Sequence, residues 1–402
     1  MSTEPEIAQS KMTLFDWVRY VLIAPLAIFA IYWALKPPQA RLPDANTSDS
    51  EVVETAEDVS PILQCRGTTM GTVSYCVKVS SSKNTTEKDQ ANLEKTVRSV
   101  LDLIDSIMST YRTDSEVSRF NQSNSTDWFT VSPETAKVVQ IALEVSELTA
   151  GTFDITVGPL VNRWGFGPEE YSIPPTQEEI DEILQSVGYR HLAVQMNPPA
   201  IRKDLPHLKI DLSGIAKGFA VDQVAEALEG KGIKNYMIEV GGETRTAGEK
   251  SPGKSWTIGI EIPTPQWLEE PKIQCKVHLG SQSMATSGDY WNFIDYQGIR
   301  FSHIIDPRTG WPVEKSQMDF PDSRLRLGSL SVVDSTCVRA DALTKGFYVL
   351  GVEEGLKLAD DNGIAVLFLL REETATKRGP GPKFTVREVM SDAFKKKVKI
   401  VE

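Results

Sequence analysis

The chain is poor in the residues that most sharply announce a chemistry. It has four cysteines in 402 residues. None stands in a C-x-x-C pair, which excludes a disulfide-stapled scaffold and the common zinc-ligand spacing. The four histidines form no H-E-x-x-H. No G-x-G-x-x-G follows a strand-like run, and neither G-x-x-x-x-G-K-[ST] nor G-x-S-x-G occurs. A Rossmann dinucleotide unit, a phosphate loop and a nucleophile elbow are therefore unsupported. Positive charge is also short, with 43 Lys and Arg against 55 Asp and Glu, a net charge of -12. Such a surface repels phosphate polyanions, so nucleic acid is not an expected partner; a single nucleotide held by local donors is still allowed.

What is present supports a large folded core, since 40% of residues are hydrophobic and 24% charged. Residues 20–35 are uncharged and mostly apolar, bounded by Arg19 and Lys36, with Trp17, Tyr20, Tyr32 and Trp33 near the ends. A helix of that length rises about 24 Å, short of a bilayer core of roughly 30 Å, and the flanking cations can snorkel to close the gap. No A-x-A cleavage pattern follows, so an uncleaved anchor is expected rather than a signal peptide. Lys11 and Arg19 before the span balance Lys36 and Arg41 after it, which leaves orientation unsettled by charge. An N-terminal anchor ordinarily exports the chain downstream of it, which puts a single-pass protein in the inner membrane with its large domain on the periplasmic side. Residues 36–60, rich in Pro, Ser, Thr, Asp and Glu, read as a disordered linker. The expected organisation is a tail over 1–19, an anchor over 20–35, a linker over 36–60 and one folded domain over 61–402.

Within that domain, Leu93, Val97, Val100, Leu101, Ile104 and Met108 follow helical spacing. Ser132-Pro133 starts a second helix that Gly151 ends, and Thr176 with Glu179 makes a capping box for a third. Helical spacing returns from Ile215 to Leu228 and from Val338 to Leu350. Strand-like runs occupy 73–79, 190–196, 208–212, 234–240, 256–262, 272–279, 328–333, 364–370 and 384–390. Helices and strands mix without strict βαβ alternation, so the expected class is α+β or mixed α/β. Cys65 and Cys76 flank one Gly-rich turn and fit either a disulfide or two small buried hydrophobes.

Small, turn-forming and carboxylate residues recur at the ends of apolar runs, as in a site assembled from many loops on a rigid scaffold. In order they are Gly67-Thr-Thr-Met-Gly-Thr72, Phe153-Asp-Ile-Thr-Val-Gly-Pro-Leu160, Asp211-Leu-Ser-Gly-Ile-Ala-Lys-Gly218, Glu239-Val-Gly-Gly-Glu243, Ala285-Thr-Ser-Gly-Asp289, His303-Ile-Ile-Asp-Pro-Arg-Thr-Gly310 and Ala340-Asp-Ala-Leu343. Ser213 is placed to cap a helix whose first turn, with Lys217, offers positive charge to an anion. Asp306 is spaced to orient the His303 imidazole or to act as a base. Asp341 and Lys345 share a helix face at i, i+4, where they fit a surface pair or, if buried, a carboxylate for a hard cation.

This ordered set resembles the ApbE family of FAD:protein FMN transferases over about residues 61–400. The resemblance implies a single catalytic domain, behind the expected anchor, that moves the FMN half of FAD onto a Ser or Thr hydroxyl of an acceptor with release of AMP. The acceptor would carry an FMN-binding domain, as in subunits of membrane redox complexes. Position by position, the resemblance implies flavin nucleotide contacts at Met70, Tyr111, Thr152, Phe153, Asp154, Asp211, Lys217, Glu243, Thr286, Ser287 and Ile305. It implies Mg²⁺ held by the Gly214 backbone and Asp341. His303, Asp306 and Lys345 are the expected catalytic groups. The family string A-D-A-L-x-T, whose Thr is a metal ligand, is not kept: Thr344 falls one residue early and Lys345 stands at the Thr position. That departure implies a weakened metal site with an ammonium in part of the ion's role. An FAD pyrophosphatase and a non-catalytic exported FAD-binding protein are the competing readings.

Overall fold

The longest apolar runs of the domain end up in the middle of one antiparallel sheet. A computed structural model of the chain describes residues 60–401, apart from 82–83, 170, 172, 265–271, 289–292, 297–298, 314–324 and 374–383. Its main sheet has eight strands, β1 (Ile62–Thr69), β2 (Val73–Ser80), β3 (Tyr236–Val240), β4 (Glu243–Ala247), β5 (Ser283–Gly288), β6 (Leu325–Asp334), β7 (Ala365–Glu373) and β8 (Phe384–Met390). They lie in chain order across the sheet, each antiparallel to the next. The architecture is therefore mixed α/β, a meander into whose connections the helices are inserted.

Both faces of this sheet are covered, which explains why its central strands read as continuous apolar runs. On β7, Val366, Phe368 and Leu370 join the larger core, while Ala365, Leu367 and Leu369 join a second cluster with Ile260, Val277 and Phe394. The larger core is roofed by α1 (Glu87–Met108), α2 (Glu116–Gln122), α3 (Pro133–Leu148), α6 (Ala216–Glu229) and α7 (Cys337–Asn362). The second lies under a small sheet of Thr257–Glu261, Ile273–His278 and Lys399–Val401 together with α8 (Asp392–Lys397). A third cluster joins α4 (Gly158–Arg163) and α5 (Gln177–Leu184) to Phe301 and Ile305. The unit spans Asp58–Glu402. Among the described residues no helix is long and apolar enough to cross a membrane, and the expected anchor at 20–35 and all of the expected linker at 36–60 but its last residue lie outside them.

Local chemistry accounts for many boundaries. Ser132 caps α3 with Pro133 in its first turn, and Thr176 and Glu179 complete the capping box of α5. Gly351, at φ 76 and ψ -173, interrupts α7 one residue beyond the expected end at Leu350. The β3–β4 hairpin turns on Gly241 and Gly242, both at positive φ (60 and 95), as a two-residue turn requires. The register Cys65↔Val77 and Arg66↔Cys76 puts Cys65 and Cys76 on opposite faces of the first hairpin, and both are free thiols.

Two expectations need correction. Residues 208–212 alternate and bury Leu208, Ile210 and Leu212, yet they form no strand. The Asn121 side chain takes the place of a neighbouring strand, donating to the Ile210 carbonyl and accepting from its N–H, each at 2.8 Å. Ser213 does not cap α6, which begins at Ala216 with no local side-chain cap. Its N-terminal Gly218 N–H is met instead by Asp341 Oδ2 at 2.9 Å.

Candidate functional site

The loops singled out by their glycine, hydroxyl and carboxylate content converge on one groove of about 1000 Å³. One wall is polar. The start of α6 brings Lys217 there, and the third turn of α7 brings Lys345. The Lys345 ammonium is bonded to Asp341 Oδ1 and lies 3.8 Å from Glu243 Oε1, which is itself bonded to Lys217. Asp341 and Glu243 are buried (0% and 1% exposed), while the two lysines reach the groove. The lining also carries apolar side chains, among them Phe153, Phe166, Ile258, Ile260 and Met284.

The charges in this wall hold one another in place. Burial opposes the Lys217 ammonium, but Glu243 and Asp341 more than reverse that and leave it above the usual lysine value. Burial likewise works against the Asp341 carboxylate, and the ammonium groups of Lys345 and Lys217 outweigh it, so its pKa falls. Glu243 goes the other way: burial, only partly offset by Lys217, raises it to about 7. Glu243 Oε2 is buried with no hydrogen-bond partner among the described residues, which leaves one acceptor open beside the ammonium groups.

Of the expected site residues, Thr152, Phe153, Asp154, Asp211, Gly214, Lys217, Thr286, Ser287, His303, Ile305 and Lys345 all line this groove. Several are also fastened into the fold. Thr152 donates to the Gly346 carbonyl at 3.0 Å. The Asp154 carboxylate accepts from the N–H groups of Thr156 and Tyr189, both at 2.7 Å, and burial raises its pKa. Asp211 accepts from Ser213 N–H at 2.8 Å, and burial raises it too. Thr286 meets Ser331, and Ser287 donates to Thr344.

Glu243 and Asp341 stand behind the wall rather than on it. Met70 occupies the β1–β2 turn at φ 46 and packs on the main core, while Thr72, Val73 and Ser74 beside it reach the groove. Tyr111 is 69% exposed and is not in the lining. Partial burial and then the charge of Asp211 raise its hydroxyl. His303 lies edge-on to Phe166, with ring centroids 6.3 Å apart. Asp306 is not its partner: that carboxylate accepts from Arg308 N–H at 2.9 Å and from its guanidinium at 2.8–2.9 Å, which organises the turn. Asp289 lies outside the described residues.

The sequence reading missed Lys78, Glu239 and Glu261, all in the lining. Burial raises both carboxylates, and the charge of Glu239 adds to the effect on Glu261. Glu239 opens the Glu239-Val-Gly-Gly-Glu243 motif, so its place at a turn into the groove was the available signal. Lys78 and Glu261 arrive through strand pairing that no local pattern announces.

The residues expected to hold Mg²⁺ do not fit an ion as they stand. Both Asp341 oxygens are engaged, one by Lys345 and one by Gly218 N–H. The Thr344 hydroxyl donates to the Asp341 carbonyl at 2.7 Å and accepts from Ser287 at 2.8 Å. The Lys345 stem runs close to Gly214, whose added Cβ would lie 3.8 Å from Lys345 Cγ. Mg²⁺ asks for near-octahedral oxygen ligands, and an ammonium in that place repels it.

Residues 69–368 match the ApbE family. The FAD:protein FMN transferase of Vibrio cholerae is 40% identical over 319 residues, 79% of this chain and 90% of that protein. The FAD:protein FMN transferase of Haemophilus influenzae is 38% identical over 316 residues, 78% and 87% of the two chains. Among solved structures, the flavin transferase ApbE from Vibrio cholerae matches with a TM-score of 0.71 at 38% identity, covering 84% of this chain and 99% of that one. The apo Pseudomonas stutzeri flavinyl transferase ApbE matches at 0.67 and 31% identity, covering 84% and 98%. With the same order of motifs now gathered round one groove, the chain belongs to the ApbE family.

Proposed function

We infer that this chain is an FAD:protein FMN transferase. The observation that carries the reading is that two ammonium groups, Lys217 and Lys345, and a set of apolar side chains line a single groove. FAD has that division of character, an anionic pyrophosphate between flat ring systems. The α6 dipole adds positive potential at Lys217. In the transfer, a Ser or Thr oxygen of the acceptor attacks the FMN-side phosphorus. The phosphorus–oxygen bond to the AMP side breaks, AMP leaves with the electron pair, and a base takes the hydroxyl proton. His303 is the lining imidazole suited to that proton. Lys217 and Lys345 stabilise the charge that builds on the phosphoryl oxygens.

The proposed acceptor is an FMN-binding protein presenting a Ser or Thr; the name of the relatives, FAD:protein FMN transferase, supports a protein acceptor. We assign residues 20–35 as a membrane anchor with the catalytic unit on the periplasmic side, so that exported or membrane-bound acceptors are within reach. The apolar run bounded by Arg19 and Lys36 supports this.

The test uses the full chain in detergent with FAD and a Thr-containing FMN-binding acceptor. Flavin fluorescence that stays with the acceptor in a denaturing gel, with stoichiometric AMP, is the expected result. AMP and FMN without labelled acceptor would instead make the chain an FAD pyrophosphatase. Bound FAD with neither product would make it a non-catalytic binding protein.

A further inference from the structure

We propose that Lys345 is a built-in cation for the FAD pyrophosphate, so that this chain binds and turns over FAD without a divalent metal ion. The proposal rests on the transferase reading for its substrate and deepens it. Three observations carry it. The ammonium occupies the space between two buried carboxylates, Asp341 and Glu243, and faces the groove. The oxygens of Asp341 are both taken, the second by the N-terminus of α6. The Lys345 stem runs close to Gly214, its Cγ 3.8 Å from where a Cβ on that glycine would stand.

The charge count agrees. Lys217 and Lys345 oppose Asp341 and, when it is ionised, Glu243, so two ammonium groups already balance the buried carboxylates without a further cation. A pyrophosphate entering the groove meets two ammonium groups held at fixed positions by those carboxylates. A flexible, solvated lysine would lose more freedom on binding than one already ordered by an ion pair. Lys345 thus gains direction from Asp341, and the Asp341 carboxylate serves to position the ammonium and cap α6.

The discriminating experiment measures FAD affinity by flavin fluorescence, and AMP release, on the full chain in detergent, with EDTA or with added Mg²⁺. The wild-type affinity and rate are expected to change by less than about threefold between the two conditions. Lys345→Met should weaken binding and slow turnover by about 100-fold in both, the scale of losing one preorganised charge donor. Lys345→Arg, which keeps a cation at the position, should stay metal-independent and distinguishes loss of charge from loss of fold. Lys345→Thr should become responsive to Mg²⁺. Titration with Mn²⁺ followed by electron paramagnetic resonance gives a readout independent of activity, and no stoichiometric ion should bind the wild type. A wild type that holds one Mn²⁺ tightly, or that loses FAD affinity in EDTA and regains it with Mg²⁺, overturns the proposal while leaving the transferase reading intact. Metal-independent FAD binding without AMP release under any condition upholds Lys345 as the pyrophosphate's cation and overturns both turnover without metal and the transferase reading. Absence of FAD binding in every condition overturns both.

Discussion

Asp222 and Asp341 cap each other's helices. Asp222 lies on α6 and accepts from the first N–H groups of α7, Cys337 at 3.0 Å and Val338 at 2.9 Å. Asp341 lies on α7 and accepts from Gly218 N–H at 2.9 Å near the start of α6. Neither helix has a side-chain cap from its own preceding residues. Both carboxylates are buried, and each serves orphan donors at the positive end of the other helix. The arrangement also fixes where Lys217 and Lys345 emerge, so the groove's positive wall is set by helix capping rather than by a loop.

Replacing Asp222 by Ala should therefore cost more than an ordinary cap. It removes two capping bonds and leaves Arg245, now 2.7 Å from Asp222 Oδ1, without that partner. Breaking a buried, hydrogen-bonded charge pair costs about 3–5 kcal/mol. Urea unfolding should show a loss on that scale, with Asp222→Asn falling between the two. A change below about 1 kcal/mol, the worth of a common exposed cap, would refute the reciprocal-capping account.

Gly218 is where these two helices touch. A Cβ there would meet the Cys337 carbonyl oxygen at 2.4 Å and Asp341 Cβ at 2.7 Å. Ala is the better helix former by about 1 kcal/mol, so propensity alone predicts that Gly218→Ala stabilises. The contact predicts the opposite, a loss of about 1–3 kcal/mol from overpacking. Thermal unfolding decides between them, and a raised Tm would mean the helices can part without cost.

How much of this could be read from the sequence depends on the range of the interaction. The Gly241-Gly242 pair, the Thr176 and Glu179 box and the Ser132-Pro133 start are local, so they were legible. The convergence of Thr152, Asp211, Ser287 and His303 on one groove followed from the order of the motifs. Long-range substitutions for local structure were not legible. Asn121 replaces a strand neighbour for Ile210 across 89 residues, and Asp341 replaces Ser213 as a cap across 123. The spacing of Asp306 from His303 suggested a catalytic pair, but it belongs to the Arg308 turn. Short spacing reports turns as readily as sites.

Gly241 couples the hairpin to the groove. It sits at φ 60, and an added Cβ would lie 2.8 Å from Val73 Cγ1 and 3.0 Å from Lys217 Cδ. Gly241→Ala should cost about 1 kcal/mol through its left-handed backbone. It should also displace the Lys217 stem and weaken FAD binding by about tenfold, the effect of a modest misplacement of a charged donor. Fluorescence titration should show the loss of affinity at a temperature where circular dichroism shows the fold intact. An unchanged dissociation constant would separate the hairpin from the binding wall.

Lys203 tests the electrostatics away from the groove wall. It is 0% exposed, donates to the Leu208 carbonyl at 2.8 Å and lies 4.8 Å from the centre of the Phe120 ring. No carboxylate pairs with it among the described residues. Burial, and then repulsion from Lys209, lowers its pKa to about 8 from the usual 10.5. Between these values the unfolded chain binds more protons than the folded one, so this residue makes stability rise as pH climbs from 8 to 10.5. Below pH 8 the full cost of burying the ammonium is present. Lys203→Met, similar in length and uncharged, should be more stable than wild type near pH 7. Its advantage should shrink as pH approaches 10.5, by at most about 1.4 kcal/mol per pH unit. Urea midpoints of both proteins across pH 7–10.5 give that difference directly. A gap that stays constant with pH would show that Lys203 remains fully charged in the folded protein and that the carbonyls around it compensate its burial.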